Sequence, residues 1–164
     1  PFRDLLVNPP NSFVHLASMI LVVGLVEETS KFLAFYFAAY RSSEFDEPVD
    51  GIVYGSIAGL GFATVENILY ASTFGIAVAP VRAAIASLAH ASFSGLVGFY
   101  AGRVKLLGEP WTVGLYGIVV AAALHGFYNF IVLDGTVPPL FAIPLVYLVY
   151  RHLAGKIVRA RSWR

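Results

Sequence analysis

Two adjacent carboxylates and an ammonium group lie inside a strongly apolar stretch of this sequence. They are Glu27, Glu28 and Lys31, in the segment GLVEETSKF, and most residues on both sides are Leu, Val, Ala, Phe or Tyr. On a helix, residues three or four positions apart share a face, so Lys31 can reach either carboxylate. Such a pairing holds one carboxylate charged and leaves the other to accept a proton, as a general base does.

Later apolar stretches contain further groups that can hold or transfer a proton. Glu66 and Asn67 lie in GFATVENILY, His90 lies in SLAHASFSG, and His125 and Asn129 lie one helical turn apart in LHGFYNF. A lone His or Asn in a membrane helix usually forms a hydrogen bond to a neighbouring helix. Several such groups together indicate function, because a charged side chain at the centre of a membrane helix costs at least about 2.5–3.5 kcal/mol.

The composition predicts that these groups lie in a membrane. Of the 164 residues, 58% are hydrophobic and 13% are charged, and the mean hydropathy is +0.74. A soluble domain carries about 25% charged residues. The net charge of +1 does not indicate a nucleic-acid partner, and the absence of cysteine excludes disulfide and thiolate chemistry. We therefore expect an integral, multi-pass membrane protein in contact with the lipid bilayer.

The apolar runs predict an all-α fold, a single polytopic transmembrane helix bundle that is the core of a longer protein. About five spans are expected, at residues 13–40, 51–72, 80–102, 112–133 and 138–153. Asp50 is expected to cap the second span, and Pro144 is expected to kink the fifth. Small residues recur every four positions along the second span, which lets another helix approach closely. This small-residue stripe consists of Gly51, Gly55, Gly59 and Ala63.

The depths of the polar groups predict that they meet. Counted from the outer ends at about 1.5 Å per residue, Glu66 lies about 10 Å deep, His125 about 12 Å and His90 about 15 Å. Glu27 lies about 21 Å along the first span, which is longer and is expected to be tilted. We expect all four groups in one layer, nearer the outer face.

The basic residues predict the orientation of the bundle. With five spans, the two ends of the chain lie on opposite sides, and Arg3 and Arg82 are on the N-terminal side. The positive-inside rule then makes the C-terminal tail cytoplasmic. The basic residues on that side are Arg41, Arg103, Lys105, Arg151, Lys156, Arg159, Arg161 and Arg164.

The four motifs EETSK, FATVENILY, SLAHASFSG and LHGFYNF, in this order, resemble those of the PrsW family of intramembrane proteases. That family belongs to a wider group with the CAAX prenyl endopeptidases, whose pattern is Glu-Glu-x-x-Arg, Phe-x-x-x-His, a further His, and His-x-x-x-Asn. Lys31 takes the place of the Arg, and Glu66 replaces the first His, as is typical of the PrsW branch. His125 and Asn129 match the last motif.

The resemblance implies a protease in a prokaryotic cell membrane that cleaves a membrane-anchored protein substrate. In the namesake case the substrate is an anti-sigma factor, and the cut is the first of a regulated cascade. A site nearer the outer face suits a cut on the extracytoplasmic side of a substrate helix. The sequence indicates neither the substrate nor an oligomeric state.

Our hypothesis for the mechanism is peptide hydrolysis by a carboxylate-activated water, with no cofactor. Glu27 takes the proton of the water, and Glu28 and Lys31 set the charge of Glu27. Glu66 and His90 hold the water or pass a proton to the leaving amine. The remaining two residues, His125 and Asn129, donate hydrogen bonds to the oxyanion.

Three alternatives remain open at this point. Zinc could bind to Glu27, Glu66, His90 and His125 with an open position for water, although there is no HExxH motif. Membrane carboxylates and histidines also build the proton relays of transporters. A non-catalytic membrane chaperone or scaffold on the same fold is the third alternative.

Overall fold

Five long helices make up most of the chain, and a computed structural model describes residues 2–75 and 79–161. All regular elements in these residues are helical, and all five long helices are apolar enough to cross a membrane, which confirms the predicted all-α bundle. Arg164, one of the basic residues predicted in the tail, lies outside the described residues. The helices are α1 (Phe2–Val7), α2 (Ser12–Tyr40), α3 (Pro48–Phe74), α4 (Ala79–Leu107), α5 (Trp111–Leu133) and α6 (Ala142–Arg161).

Capping chemistry sets the starts of α2 and α3. The Asn11 side chain caps α2 by accepting a hydrogen bond at 2.9 Å from a backbone N–H of the first turn. Helix α3 begins at Pro48, since proline fits the first helical position. Asp50, predicted to precede this helix as its cap, lies inside the first turn instead. Its carboxylate accepts a hydrogen bond at 2.7 Å from the backbone N–H of Glu47, completing a capping box.

Pro144, predicted to kink the fifth span, lies close to the start of that span. A 3-10 turn, Pro139–Phe141, leads into α6, which begins at Ala142. Pro144 therefore lies in the first turn of α6. There it removes no hydrogen bond, because the first N–H groups of a helix have no partner within the helix.

Helix α2 contains two π-helical segments, Met19–Gly24 and Tyr36–Tyr40. Between them runs the α-helical segment Leu25–Phe35, which carries the paired carboxylates and Lys31. A π segment hydrogen-bonds from i to i+5, so it changes the direction in which the residues after it point. The first π segment thus sets which of the two carboxylates points into the bundle.

Close approach of α2 to α5 depends on two glycines. A methyl group added at Gly24 would overlap the carbonyl oxygen of Ala122, and one added at Gly126 would overlap the backbone of Ile20. The helices are therefore in backbone contact at this crossing. His125 lies between Ala122 and Gly126 on α5, so the close crossing brings it within reach of the carboxylates of α2.

The small-residue stripe of α3 packs closely against another helix, as predicted, and that helix is α4. A methyl group added at Gly55 would overlap the carbonyl oxygen of Ser94, and one added at Gly59 would overlap that of His90. Gly51 meets Gly98 in the same way. The stripe thus brings the turns of α4 that carry Ser94 and His90 against α3.

Helix α4 is the central helix, and it contacts each of the other four long helices. Its side chains Phe93, Leu96 and Val97 are at most 2% exposed and form the middle of the apolar core. The outer surface of the bundle is also apolar, with Val65 and Leu148 more than 60% exposed. An apolar exterior around a packed interior is what contact with lipid requires.

Candidate active site

Polar side chains from four helices meet inside the bundle, with a buried ion pair between Glu28 and Lys31 at their centre. We call this group the polar cluster; it consists of Glu27, Glu28, Lys31, Glu66, His90 and His125. Lys31 Nζ is 2.8 Å from Glu28 Oε1, and the two residues are 2% and 0% exposed. Ser94 Oγ donates to Glu28 Oε2 at 3.0 Å, and His125 Nδ1 is 2.8 Å from Glu28 Oε1. Three donors therefore compensate the burial of this carboxylate. Glu28 is occupied as an acceptor, which leaves Glu27 as the available member of the pair.

The contact with Glu28 fixes the protonation of the His125 ring. A carboxylate only accepts hydrogen bonds, so we assign the ring proton to Nδ1. Lys31 Nζ also lies 3.5 Å from this nitrogen, but the contact with Glu28 is much shorter. His125 Nε2 then carries a lone pair, and it is buried without a hydrogen-bond partner among the described residues. Glu27 Oε2 lies 3.6 Å from it.

His90 connects Lys31 to Glu66. Lys31 Nζ lies 2.8 Å from His90 Nδ1, and an ammonium group only donates, so Nδ1 accepts. The ring proton is then on Nε2, which donates to Glu66 Oε2 at 3.0 Å. The rings of His90 and His125 are edge to face, with centroids 4.8 Å apart. The two imidazoles therefore carry their protons on opposite nitrogens, each set by its own carboxylate.

Glu27 is the more accessible of the paired carboxylates. Its side chain is 19% exposed, and Lys31 Nζ lies 3.4 Å from its Oε2. Glu27 lines a groove of about 360 Å³, together with Phe62, Val65, Glu66 and Leu69 of α3. Val65 and Leu69 are about 60% exposed on the apolar outer surface of the bundle. The groove therefore borders the apolar outer surface of the bundle, between α2 and α3.

The structure brings together the four groups that were predicted to share a layer. The contacts described above link Glu27, Glu66, His90 and His125 through Lys31, which confirms the predicted convergence. Asn129 is not part of this network. The residue is half-buried, and its side chain makes no hydrogen bond or ion pair within the part of the chain that the structure describes.

Sequence reasoning missed the role of Arg82, which it counted only as a charge on the outer side. The side chain is half-buried, and its Nη2 lies 3.4 Å from Glu66 Oε2. The usable signal was position, because Arg82 is in the first turn of α4, directly after the short connection from α3. An arginine there faces the last turns of α3, where Glu66 is.

A second polar contact ties the start of α2 to the end of α5. His15, in the first turns of α2, is 5% exposed. Its Nδ1 lies 2.7 Å from Asp134 Oδ2, and Ser12 Oγ donates to Asp134 Oδ1 at 3.2 Å. Thr136 Oγ1 also donates to Asp134. Hydrogen bonds from Thr136 and then His15 hold the pKa of Asp134 below its ordinary value of 3.8.

Three residues of the polar cluster could hold a metal ion. Glu27, His90 and His125 each offer one ligand atom, and these atoms lie within 4.8 Å of one another. Tetrahedral zinc with bonds of about 2.1 Å has ligand atoms about 3.4 Å apart, close to the 3.6 Å between His125 Nε2 and Glu27 Oε2. Glu66, the fourth ligand in the sequence-based metal hypothesis, pairs with His90 and Arg82 instead.

The fold and the site together define a polytopic helical membrane protein with a buried centre of carboxylates and imidazoles. Residues 2–153 match the family described as PrsW family intramembrane metalloprotease. The chain belongs to the PrsW family.

Several bacterial proteins named Protease PrsW are similar to the chain. The protein from Geobacillus kaustophilus is 41% identical over 118 residues, covering 71% of this chain and 52% of the relative. Those from Oceanobacillus iheyensis and Bacillus subtilis are 38% and 35% identical over 141 residues, covering 85% of this chain and 66% and 65% of the relatives. The chain thus spans about half to two thirds of the length of these curated relatives. No solved structure matches it.

The relatives and the helices agree on the broad location. All three relatives are bacterial proteins, and five helices are long and apolar enough to span a membrane. The chain is accordingly that of a multi-pass membrane protein of bacteria.

Proposed function

We propose that this protein is an intramembrane endopeptidase that hydrolyses a membrane-anchored protein through a water activated by Glu27. The observation that carries the proposal is the pairing of Glu27 Oε2 with the unpartnered His125 Nε2, 3.6 Å apart at a buried site. Both are acceptors, so one water can donate a hydrogen to each. The relatives named Protease PrsW support the same class of activity.

The chemical step uses Glu27 as the general base. The water oxygen attacks the scissile carbonyl carbon, its proton passes to Glu27, and the carbonyl π electrons move to the oxygen. The oxyanion then re-forms the C=O bond as the C–N bond breaks, and Glu27 delivers the proton to the leaving nitrogen. Lys31 is 3.4 Å from Glu27 but 2.8 Å from Glu28, so it lies near the base without fully occupying it.

The protonation of the imidazoles changes two of the roles expected from sequence. His125 Nε2 carries no proton, so it orients the water as an acceptor instead of donating to the oxyanion. The remaining donor candidate is Asn129, one turn along α5, whose amide makes no hydrogen bond within the described residues. One such donor is worth about 3–4 kcal/mol where water is excluded. Glu66 and His90 act indirectly, by holding Lys31 on Glu28.

The lateral groove supports a substrate that arrives within the membrane. A segment of a membrane-anchored protein, anti-sigma-factor-like by the resemblance of the motifs, would enter between α2 and α3 and meet Glu27. With the basic tail in the cytoplasm, the site lies toward the outer face of the membrane. Cleavage would then occur on the extracytoplasmic side of the substrate helix.

A zinc-dependent protease on the same residues is the second candidate, favoured by the cluster of three ligand atoms and by the description of the family. Glu27 and His125 fit as ligands, and Glu28 would support His125 through its Nδ1–H, as carboxylates commonly do for metal-binding histidines. When bound, zinc would act as a Lewis acid on the water and the scissile carbonyl. His90 would first have to release Lys31 or Glu66, so we place this candidate second.

Identification of cleaved proteins tests the proposed function. Purified wild-type protein is reconstituted in liposomes with candidate single-span membrane proteins, and the fragments are identified by mass spectrometry. We expect a cut within or next to a substrate helix with wild type, and none with Glu27→Gln or His125→Ala. Proton flux through the liposomes without any fragment would favour a transporter and contradict the proposal.

A further inference from the structure

The guanidinium of Arg82 is held by three residues of α3. Its Nη1 donates to Asn67 Oδ1 at 2.6 Å, and its Nη2 lies 3.4 Å from Glu66 Oε2. The guanidinium carbon lies 3.4 Å from the centre of the Tyr70 ring, so the plane stacks on that ring. We call these four residues, Glu66, Asn67, Tyr70 and Arg82, the arginine clamp.

The contacts of the clamp leave the guanidinium little freedom. One nitrogen of the planar guanidinium donates to Asn67 and a second forms an ion pair with Glu66, while an aromatic ring covers one face; lysine cannot reproduce this arrangement. Asn67 is fixed too, because its Oδ1 accepts from Arg82 and its Nδ2 donates to Ser87 Oγ at 3.3 Å. Arg82 and Ser87 both belong to α4, so the clamp also joins the end of α3 to the start of α4.

The clamp acts on the same oxygen that holds His90. Glu66 Oε2 lies 3.4 Å from Arg82 Nη2 and 3.0 Å from His90 Nε2. A charged partner keeps this oxygen an acceptor, so the His90 ring keeps its proton on Nε2 and its lone pair on Nδ1. That lone pair accepts from Lys31 at 2.8 Å. Without it, one Lys31 proton would lose its acceptor, and the ammonium would turn toward Glu27.

We propose that Arg82 is a positioning residue of the polar cluster: by holding Glu66 it fixes the proton of His90 on Nε2, and thereby it holds Lys31 against His90 and Glu28 and stops it from moving closer to Glu27. The effect on the ring proton is independent of any activity. Its consequence for catalysis rests on the proposed function, because it matters only if Glu27 is the base. The adjacent residues Glu66 and Asn67 of α3 thus both hold Arg82, and Glu66 also contacts His90.

Nitrogen NMR of the histidine rings tests the clamp directly. The protein is labelled with 15N-histidine in lipid bilayers, and the His90 signals are identified by their loss in His90→Asn. We expect wild type to show protonated Nε2 and unprotonated Nδ1. We expect Arg82→Met to show a mixture of the two tautomers, and Arg82→Lys, which keeps the charge, to stay closer to wild type. An Arg82→Met spectrum identical to wild type would overturn the proposal.

Two further variants make this measurement specific. Arg103→Met removes the arginine of another half-buried ion pair, Arg103–Glu109, and should leave the His90 signals unchanged. A shift of equal size in Arg103→Met would mean that the effect is not specific to the clamp, which contradicts the proposal. If Arg82→Met does not fold, Asn67→Ala loosens the clamp without removing a charge, and an unchanged His90 tautomer in it would be equally contradictory.

Cleavage measured on the same variants separates the clamp from the proposed function. We expect Arg82→Met to lower kcat by about 10²-fold, as small displacements of catalytic groups do, and Arg82→Lys to restore part of the loss. A mixed tautomer with undiminished cleavage would overturn the catalytic consequence of the clamp. If wild type cleaves nothing, the proposed function fails, while the ring spectra still decide whether Arg82 positions His90.

Discussion

Glu27 and His125 face each other across 3.6 Å with acceptor atoms on both sides, Oε2 on the carboxylate and Nε2 on the imidazole. Two acceptors cannot form a hydrogen bond with each other in these protonation states. A donor or a cation that contacts both atoms would therefore stabilise the pair. A water is such a donor, and a metal ion is such a cation.

Metal analysis distinguishes the two ways of joining Glu27 and His125. Because Lys31 already supplies a positive charge 2.8 Å from His90 and 3.4 Å from Glu27, we expect purified protein to hold far less than one zinc per chain. Cleavage should also survive a chelator. The zinc content of the purified protein is measured by inductively coupled plasma mass spectrometry. One zinc per chain that is lost in His125→Ala, with activity lost to chelation, would establish the metal-dependent mechanism instead.

Lys31→Met is expected to destabilise the bundle strongly. It leaves the Glu28 carboxylate buried without its cation, a loss that costs about 3–5 kcal/mol. The double variant Lys31→Met, Glu28→Gln removes both charges and should recover most of that stability, though not the activity. Unfolding in detergent is followed by temperature or denaturant.

The ion pair between Arg103 and Glu109 provides the matched control for that experiment. Its side chains are 31% and 24% exposed, and pairs of this kind contribute about 0–1 kcal/mol. Arg103→Met should therefore change stability much less than Lys31→Met. Equal effects of the two variants would mean that burial does not set the cost.

Gly98→Ala is expected to push α3 and α4 apart. The added methyl group would overlap the backbone of Gly51, and overpacking of this kind costs about 1–3 kcal/mol. Because the same interface brings His90 to Glu66, we expect cleavage to fall together with stability. Gly61→Ala is the control, since its methyl group meets no atom within 4 Å in the described structure. Unfolding and cleavage of both variants are compared, and equal behaviour would contradict the packing argument.

The stabilising effect of Asp134 should depend on pH. Its pKa is below 3.8 in the folded protein because Thr136 and His15 hydrogen-bond to the charged form. A group with a lowered pKa stabilises the fold above its unfolded value and loses that effect as the pH falls. The difference in melting temperature between wild type and Asp134→Asn should therefore shrink between about pH 5 and pH 3. A difference that stays constant over this range would show that the charge of Asp134 is unimportant.

The helices and the meeting of the polar groups could be predicted because both follow from counting residues. Apolar runs between proline and polar loops give the spans, and a fixed rise per residue gives the depth of Glu27, Glu66, His90 and His125. The close packing of α3 on another helix could also be predicted from the sequence, since a glycine every four residues gives a helix face that another backbone can approach closely.

The rotation of α2 could not be predicted, and it decides which carboxylate is available. Composition does not reveal the π segment Met19–Gly24, yet the turns after it bury Glu28 completely and turn Glu27 toward the groove. Arg82 was missed because its position after the short connection was interpreted only as a charge on the outer side, whereas the packing of α3 on α4 brings it to Glu66. The protons on His90 and His125 likewise follow from neighbours on other helices.

The most direct test of the account is the cleavage rate of Glu27→Gln on an identified substrate in liposomes. Gln keeps the shape of the side chain but cannot take the proton of the water, so we expect the rate to fall by about 10²-fold or more. Glu44→Gln, at an exposed carboxylate of the loop between α2 and α3, should cleave as wild type does. Cleavage by Glu27→Gln at the wild-type rate would contradict the account.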